Sequence, residues 1–413
     1  MITKTILISG ASIAGPALAY WLRRHGFQPT VVERAAAPRP GGQAVDVRGA
    51  AIDVVERMGL LEQVRASDTD IHGMSYVDEN GGTIAELDAA FGVVDERDVE
   101  ISRGALTEIL YNATRDNVEY LFNDSVTGIT EDADGVQVRF EGSAPRRFDL
   151  VIGADGLHSN TRSLVFGDER QFLHHLGMYV SIFSLPNTFG LDHQQAIHAS
   201  PGRIATLGSS RDRAEAKAGF FFASAPLSYD RRDTTAQQRL LAEAFAGAGW
   251  EVPRLLEAMP GAPDFYFDSV GQIKMDGWHR GRVALVGDAA YAASPLSGQG
   301  SSLALVGAYV LAGELAAAGG DHWRAFARYE AAMREFVAKN QKLGQDNVQR
   351  FAPSTPRAIR LQNLSMKMFR YLPGKKLLMK LMTRSVGEAA TAITIQDYAP
   401  ADPAQAEMAQ TIR

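Results

Sequence analysis

Hydrophobic residues along this chain fall into three patterns, each predicting a different kind of element. Ile6-Leu7-Ile8 is a short unbroken apolar run followed closely by a glycine, the pattern of a strand covered on both faces. A helix is predicted from Gly15 to His25, with Gly26 as its terminator. Thr30-Val31-Val32-Glu33 is the next strand, so the chain opens on a βαβ unit. A helix from Ala50 to Met58 is expected next, then a hairpin from Met74 to Asp88 around Asn80-Gly81-Gly82, then a helix capped by Ser102. Ser125 to Phe140 alternates and turns at Asp134-Gly135. Leu150 to Ile152 and Val283 to Val286 return to the buried-strand pattern. Between them, Phe172 to Gln272 reads as β-rich, holding Met178 to Phe183, Arg203 to Leu207 and Gly219 to Phe222, with one helix from Thr235 to Phe245. A helix from Gly300 to Leu315 follows, and the rest is mostly helical. An α/β unit is therefore split in sequence, with a β-rich part inserted between its pieces.

Composition narrows the chemistry. The 413 residues include no cysteine, which excludes disulfides, thiolate zinc sites, iron–sulfur clusters and a cysteine nucleophile. This fits a reducing compartment, and a cytoplasmic location is expected. The net charge of -6 gives no pull toward nucleic acid. Thr5 to Leu22 carries no charge, and Ala17-Leu18-Ala19 looks like a leader cleavage site, but Gly10, Ser12, Gly15 and Pro16 interrupt the run. The apolar stretch from Leu303 to Gly313 stops at Glu314, short of the ~20 residues a membrane span needs. We expect no membrane partner.

Two motifs carry chemistry. Gly10-Ala11-Ser12-Ile13-Ala14-Gly15 follows a strand and opens a helix, the context of a dinucleotide fingerprint, with Ser12 in place of the middle glycine. Glu33, with Arg34 beside it, ends the second strand, where a carboxylate accepts hydrogen bonds from ribose hydroxyls and repels a 2′-phosphate. A short-chain NAD dehydrogenase would need Tyr-x-x-x-Lys on one helix. The one such spacing, Tyr371 to Lys375, encloses Pro373-Gly374, which break a helix. The second motif is a buried strand ending in Gly287-Asp288, followed by Ser294-Pro295-Leu296-Ser297-Gly298-Gln299-Gly300 and a helix.

Taken with Arg103 and Asp155-Gly156, these motifs resemble the single-component FAD-dependent aromatic hydroxylases of the para-hydroxybenzoate hydroxylase fold, over about residues 1 to 345. Gly41-Gly42-Gln43-Ala44-Val45-Asp46-Val47-Arg48 and the helical C-terminus are more similar to the tetracycline-inactivating flavin monooxygenases within that family. The resemblance implies an α/β (overall α+β) chain with a Rossmann-like FAD-binding domain, an inserted β-sheet substrate domain and a C-terminal helix. The FAD-binding domain would take residues 1–72, 95–170 and 273–350, and the substrate domain 73–94 and 171–272. Residues 351–400 would be the helical segment, and 401–413 a disordered tail. It also implies site roles. The turn Gly10, Ser12, Ile13, Ala14, Gly15 would face the pyrophosphate, Arg103 would lie against the pyrophosphate or ribityl chain, and Glu33 would hold the adenosine ribose. Asp288 would bond ribityl or pyrophosphate oxygens. Pro295, Gly298, Gln299 and Gly300 would border the isoalloxazine. Asp46 and Arg48 would approach the flavin, Asp155 would belong to a turn near it, and Arg203 would stand beside the ring. Two departures from the family pattern, Tyr291 for a histidine and Ser294 for a proline, are expected to alter packing around the ring. Trp21, Trp250, Trp278 and Trp323 never fall two residues apart, which argues against the related halogenases.

The activity implied is NAD(P)H-dependent hydroxylation of a planar aromatic or polycyclic phenol or enol, tetracycline- or polyketide-like, through a flavin C4a-hydroperoxide. FAD would be bound non-covalently, NAD(P)H transiently, with O2 as co-substrate, in a monomer or weak dimer. A reductase or oxidase on the same scaffold and a non-enzymatic FAD-binding regulatory module are the alternatives. No catalytic base is nominated. Met178, Val180, Phe183, Phe220 and Phe222 are pocket candidates, set against the commoner role of such residues as core. His174, His175, His193 and His198 lack metal-motif spacing, and no metal is expected. Phe351 to Arg384 holds eight basic residues and no acidic one, read as a helix packed by its apolar face in preference to a membrane-surface helix.

Overall fold

Strand β1 (Thr5–Ser9) stands inside a six-stranded sheet, and Ile6, Leu7 and Ile8 are fully covered, as an unbroken apolar run requires. The computed structural model describes residues 4–39, 41–88, 95–351, 353–369 and 375–398. Helix α1 (Ala14–Arg24) leads to β2 (Gln28–Glu33), parallel to β1. Next come β3 (Ala44–Val47), α2 (Ala50–Arg57) and α3 (Leu61–Ala66). The antiparallel hairpin β4 (Gly73–Val77) and β5 (Thr83–Asp88) belongs to a second sheet. β6 (Val99–Ser102) returns to pair with β3, and Ser102 caps α4 (Arg103–Asn112) by accepting from the Ala105 N–H. β7 (Glu119–Phe122) joins β2 at the edge of the first sheet. β8 (Val126–Asp132), β9 (Gly135–Phe140) and β10 (Arg146–Phe148) make a small antiparallel sheet. β11 (Leu150–Gly153) pairs with β1, and α5 (Asn160–Val165) follows it.

The chain then builds most of the second sheet from β12 (Leu173–Pro186), β13 (Gln194–Ser200), β14 (Arg203–Gly208) and β15 (Glu215–Ala223). Helices α6 (Thr234–Ala244) and α7 (Val252–Ala258) come next, then the last strand, β16 (Tyr266–Ile273). The seven-stranded order is β16-β12-β15-β14-β13-β4-β5. β17 (His279–Arg280) and β18 (Val283–Leu285) complete the first sheet as β17-β18-β11-β1-β2-β7. Five α-helices follow: α8 (Asp288–Tyr291), α9 (Gly300–Ala317), α10 (His322–Phe351), α11 (Pro356–Phe369) and α12 (Lys375–Ala390). α9 is long and apolar enough to cross a membrane by length and composition, yet it is mostly buried against α1, α2 and α10. The uncharged run from Thr5 to Leu22 likewise forms β1 and α1 in the centre of the core. The expected tail after Pro400 lies outside the described residues, as does the 370–374 stretch.

Register on the second sheet corrects two expectations. Residues directly opposite in antiparallel pairs share a face. Met178 pairs with Ala223 and Val180 with Phe221, whereas Tyr179 pairs with Phe222, Ser181 with Phe220 and Phe183 with Ala218. The five pocket candidates are therefore split. Phe183, Phe220 and Phe222 face outward and form a core with Leu241 of α6, Phe245 just after it and Leu255 of α7, where each buried ring contributes about 2 kcal/mol. Met178 and Val180 face inward, where they are buried with Val270 against Leu296. Arg203 also lies on the outward face. Its Nη1 donates to the Ala244 carbonyl at the end of α6 (2.9 Å), so it is a helix-end cap and not a neighbour of the flavin ring.

Tyr291 departs from expectation in the same way. It is buried in the core, accepts a hydrogen bond from the Tyr329 hydroxyl (2.9 Å), and packs its own hydroxyl onto Gly307 of α9, where a Cβ would collide with it. Gly307→Ala should therefore cost about 1–3 kcal/mol, the usual price of overpacking, read as a drop in thermal midpoint. Tyr291→Phe, which removes the obstructing oxygen, should restore most of that loss in the double variant. Equal losses in the single and double variants would show that the two residues do not clash.

Candidate functional site

Close backbone approach builds the turn after β1. Gly10 has φ +108°, and a Cβ there would stand 2.5 Å from the Ala154 carbonyl oxygen; a Cβ on Gly15 would strike the Gly10 carbonyl. Any larger residue would push α1 off the sheet. The N-terminus of α1 has no side-chain cap, with Ile13 at the N-cap and Ala14 and Gly15 in the first turn, so its first N–H groups stay open to an anion. Glu33, at the tip of β2, accepts from the N–H groups of Ala11 and Ala35, each at 2.9 Å, and thereby clamps this turn. Arg34 beside it is exposed.

Arg103 reaches the same turn from α4. Its backbone N–H donates to the Gln43 carbonyl (2.9 Å), and its Nη1 lies 3.4 Å from the Ser12 hydroxyl. Ser12, in the place of the middle glycine, thus faces a guanidinium. Burial lowers the Arg103 pKa from its ordinary value, and its Nε is buried without a hydrogen-bond partner among the described residues. Gln299, at the N-cap of α9, is fully buried, and neither its side-chain oxygen nor its nitrogen has a partner among those residues.

Asp288 begins α8 at the end of β18. It is open to solvent yet crowded by protein, and burial pushes its carboxyl up. That combination marks a group on the wall of a concavity. Pro295, seven residues further on, is exposed in the turn where Ser294 adopts φ +87° and its hydroxyl accepts from the Leu296 N–H. Proline cannot reach that angle, so this turn excludes the residue usual in the family. Asp46 closes the loop side. It pairs with Arg48 at 2.8 Å, and a Cβ on Gly298 would come within 3.1 Å of its Oδ2. Burial, opposed by Arg48, pushes the Asp46 carboxyl up to about 6.

The turn expected around Asp155 is held from within. Both oxygens of Asp155 are taken by protein donors: the Ser159 hydroxyl (2.5 Å), the Thr161 N–H (2.8 Å) and hydroxyl (2.9 Å), and the Ser9 hydroxyl (3.4 Å). Asp155 holds the β11–α5 turn in shape from within. Sequence reasoning missed Tyr266 and Asp268 on β16 and His158 in that turn. Tyr266 is 40% exposed on the inward face, and Asp288 and Arg103 both act on its hydroxyl electrostatically. Ile182, Thr206 and Phe221 are half-buried on the same face. Away from this cleft, Asp70, His72 and His193 come together, but both ring nitrogens of His193 are engaged, by the Asp70 carbonyl (2.7 Å) and by Arg213 Nε (3.2 Å).

These uncapped N–H groups, partnerless polar atoms and solvent-reached carboxylate fit a flavin dinucleotide, which brings phosphate acceptors, ribityl hydroxyls and ring heteroatoms. Arg103→Ala should purify with less than half the wild-type flavin absorbance per protein while keeping the wild-type circular dichroism; unchanged flavin content would contradict its place in the site. Asp46 gives a pH test. The folded chain holds the Asp46 proton more tightly than the unfolded chain, so this stabilisation is present below about pH 4 and is lost as pH rises through about 6. The stability of wild type relative to Asp46→Asn should therefore fall by about 2–3 kcal/mol between pH 4 and pH 7. A constant difference would refute it.

Residues 3–341 match the family model described as FAD binding domain. An uncharacterized protein of Mycobacterium tuberculosis is 52% identical over 353 residues, covering 85% of this chain and 95% of that protein. A flavin-dependent monooxygenase of Legionella longbeachae is 45% identical over 340 residues, covering 82% of this chain and 87% of the relative. The crystal structure of the tetracycline destructase Tet(55) superposes with a TM-score of 0.83 at 40% identity, covering 96% of this chain and 99% of that one. With half or more of the chain matched by the family model and relatives of this closeness, the chain belongs to the FAD-binding-domain family and is a flavin-dependent monooxygenase.

Proposed function

We propose that the protein hydroxylates a planar polycyclic phenol or enol of the tetracycline or polyketide type, with NAD(P)H as electron donor and O2 as oxygen source. The observation that carries this reading is the inward face of the second sheet. Ile182, Thr206, Phe221 and Tyr266 present a flat, mostly apolar, half-exposed surface with one phenol, next to the cleft of Asp288 and Arg103. The 40% identity to Tet(55), a tetracycline destructase, supports a substrate of that shape.

Within this reading Glu33 holds the adenosine ribose. The α1 N-terminus, Ser12 and Arg103 hold the pyrophosphate, and Asp288 takes a ribityl or pyrophosphate oxygen. Pro295, Gly298, Gln299 and Gly300 border the flavin ring, with Asp46 and Arg48 behind Gly298. The bound flavin supplies electron transfer and oxygen activation. The chain supplies position and dryness: Met178, Val180, Val270 and Leu296 seal the sheet against the 295–297 turn, which keeps water from the reacting face. NAD(P)H has no second glycine-rich fingerprint in the sequence and so binds transiently.

Incubation with tetracycline, NADPH or NADH and 18O2 should consume reductant in a substrate-dependent way and yield a product carrying one 18O atom. Reductant consumed with hydrogen peroxide as the one oxygen product would instead identify a reductase or oxidase.

A further inference from the structure

The fold leaves one apolar stripe outside its cores, and that stripe lies on a basic helix. Seven large hydrophobic residues are exposed among the described residues, and four of them, Leu361, Leu364, Met368 and Leu381, fall in α11 and α12. Leu361, Leu364 and Met368 stand at i, i+3 and i+7 and share one face of α11, where they are 69%, 54% and 57% exposed. The opposite face carries Ile359, Gln362 and Met366 at the same spacing. Ile359 is buried and the other two are half-buried, where α11 packs on β5 and β13. The packing expected of this segment therefore uses one side of α11 and leaves a second apolar stripe in water. Arg357, Arg360 and Lys367 are exposed on the same helix and enter no ion pair among the described residues. The preceding α10 pairs its exposed Lys339 and Lys342 with Glu335 and Asp346, each one turn away. α11 has no such acid, because Phe351 to Arg384 holds eight basic residues and no acidic one, in a chain of net charge -6.

We propose that this face of α11 binds the surface of an anionic lipid bilayer. Leu361, Leu364 and Met368 enter the boundary between headgroups and acyl chains, and the basic side chains beside them meet the headgroup phosphates. Arg357 stands on the face of the stripe, one turn before Leu361, while Arg360 and Lys367, seven residues apart, run along its edge. Their long stems let the cations reach the headgroups while the stripe goes deeper. Other occupants match one half of this pattern and fail the other. A nucleic-acid backbone answers the charge but offers nothing to the stripe. A second copy bound through the same face by two-fold symmetry sets the two basic runs against each other. The place of the helix gives the contact a consequence. Phe351, at the end of α10, packs edge-on to Phe221 of the inward face, with 4.9 Å between ring centres. The Pro353 carbonyl accepts from the Gly202 N–H, in the turn between β13 and β14, at 2.9 Å. α11 thus starts beside the inward face of the second sheet, and docking through it turns that side of the enzyme to the bilayer. The contact is independent of which substrate the enzyme takes.

The full-length, FAD-loaded protein is titrated with vesicles of phosphatidylcholine alone and with vesicles holding about 30% phosphatidylglycerol, at about 0.1 M salt. It should bind the anionic vesicles at least tenfold more tightly, and about 1 M salt should remove most of that preference. Arg357→Gln, Arg360→Gln and Lys367→Gln together should weaken binding to the anionic vesicles at least tenfold, and so should Leu361→Gln, Leu364→Gln and Met368→Gln together. Both triple variants change exposed positions and should keep the wild-type flavin absorbance per protein and thermal midpoint. Because the chain has no cysteine, a polarity-sensitive thiol dye can be placed by Leu364→Cys alone. Its emission should shift to the blue on anionic vesicles, while the same dye placed by Leu164→Cys, at an exposed position of α5, should not shift. Equal binding to the two kinds of vesicle overturns the proposal, as does a dye at position 364 that is blind to vesicles that bind the protein. A wild-type dimer that both triple variants convert to monomer, with no vesicle binding by any of the three proteins, overturns it too and gives the face to a second copy.

Discussion

A buried polar atom without a partner costs about 1–3 kcal/mol, and this fold gathers several along one seam. Arg103 Nε and both polar atoms of Gln299 are buried with no partner among the described residues, and the carboxyl of Asp288, reached by solvent, is pushed up by burial beside them. The two partnerless side chains come from separate segments, around 103 and 299. A chain that carries such costs in one place is built for a ligand that removes them, and a dinucleotide with two phosphates, a ribityl chain and a heteroaromatic ring is matched to that set.

The second sheet completes the site by having two different faces. Its outward face is ordinary core, sealed by α6 and α7. Its inward side is joined to the loop after α8 and to α10 by hydrogen bonds as well as by packing. Gln272 of β16 donates to the Ala293 carbonyl (3.1 Å) and to the Gln341 carbonyl of α10 (2.6 Å), and Gln341 donates in turn to the Ile273 carbonyl (2.7 Å). β16 is thereby fixed to the loop that follows Asp288, which sets Tyr266 and Asp268 against the cleft. Buried, fully satisfied polar networks of this kind are specific in geometry, because any shift leaves a donor or acceptor unpaired.

The parts legible in the sequence were those where local chemistry dictates local geometry. The glycine-rich turn, Glu33 at a strand end, Ser102 as a cap and the Gly287-Asp288 strand end each announce themselves within a few residues. What depended on strand phase was not legible. Phe183, Phe220 and Phe222 resemble Met178 and Val180 in character, and pairing register alone decides that they face α6 and α7. Arg203 looked like a free cation until its strand placed it at a helix end. β16 escaped notice because Asp268, Ser269 and Gln272 are polar residues in buried positions, which erases the alternation by which a strand is recognised. Asp155 stood in the expected turn, but its oxygens were already spent on Ser9, Ser159 and Thr161, partners that only the folded turn brings together.

The central claim is that FAD occupies the seam lined by residues 10–15, 41–48, 103–107 and 288–300. Hydrogen–deuterium exchange of the apoprotein with and without FAD tests this most directly, because it reads every segment in one experiment. The account predicts new protection in those four stretches and no change in residues 234–258, which carry the outward core. Protection confined to other regions, or none at saturating FAD, would contradict it.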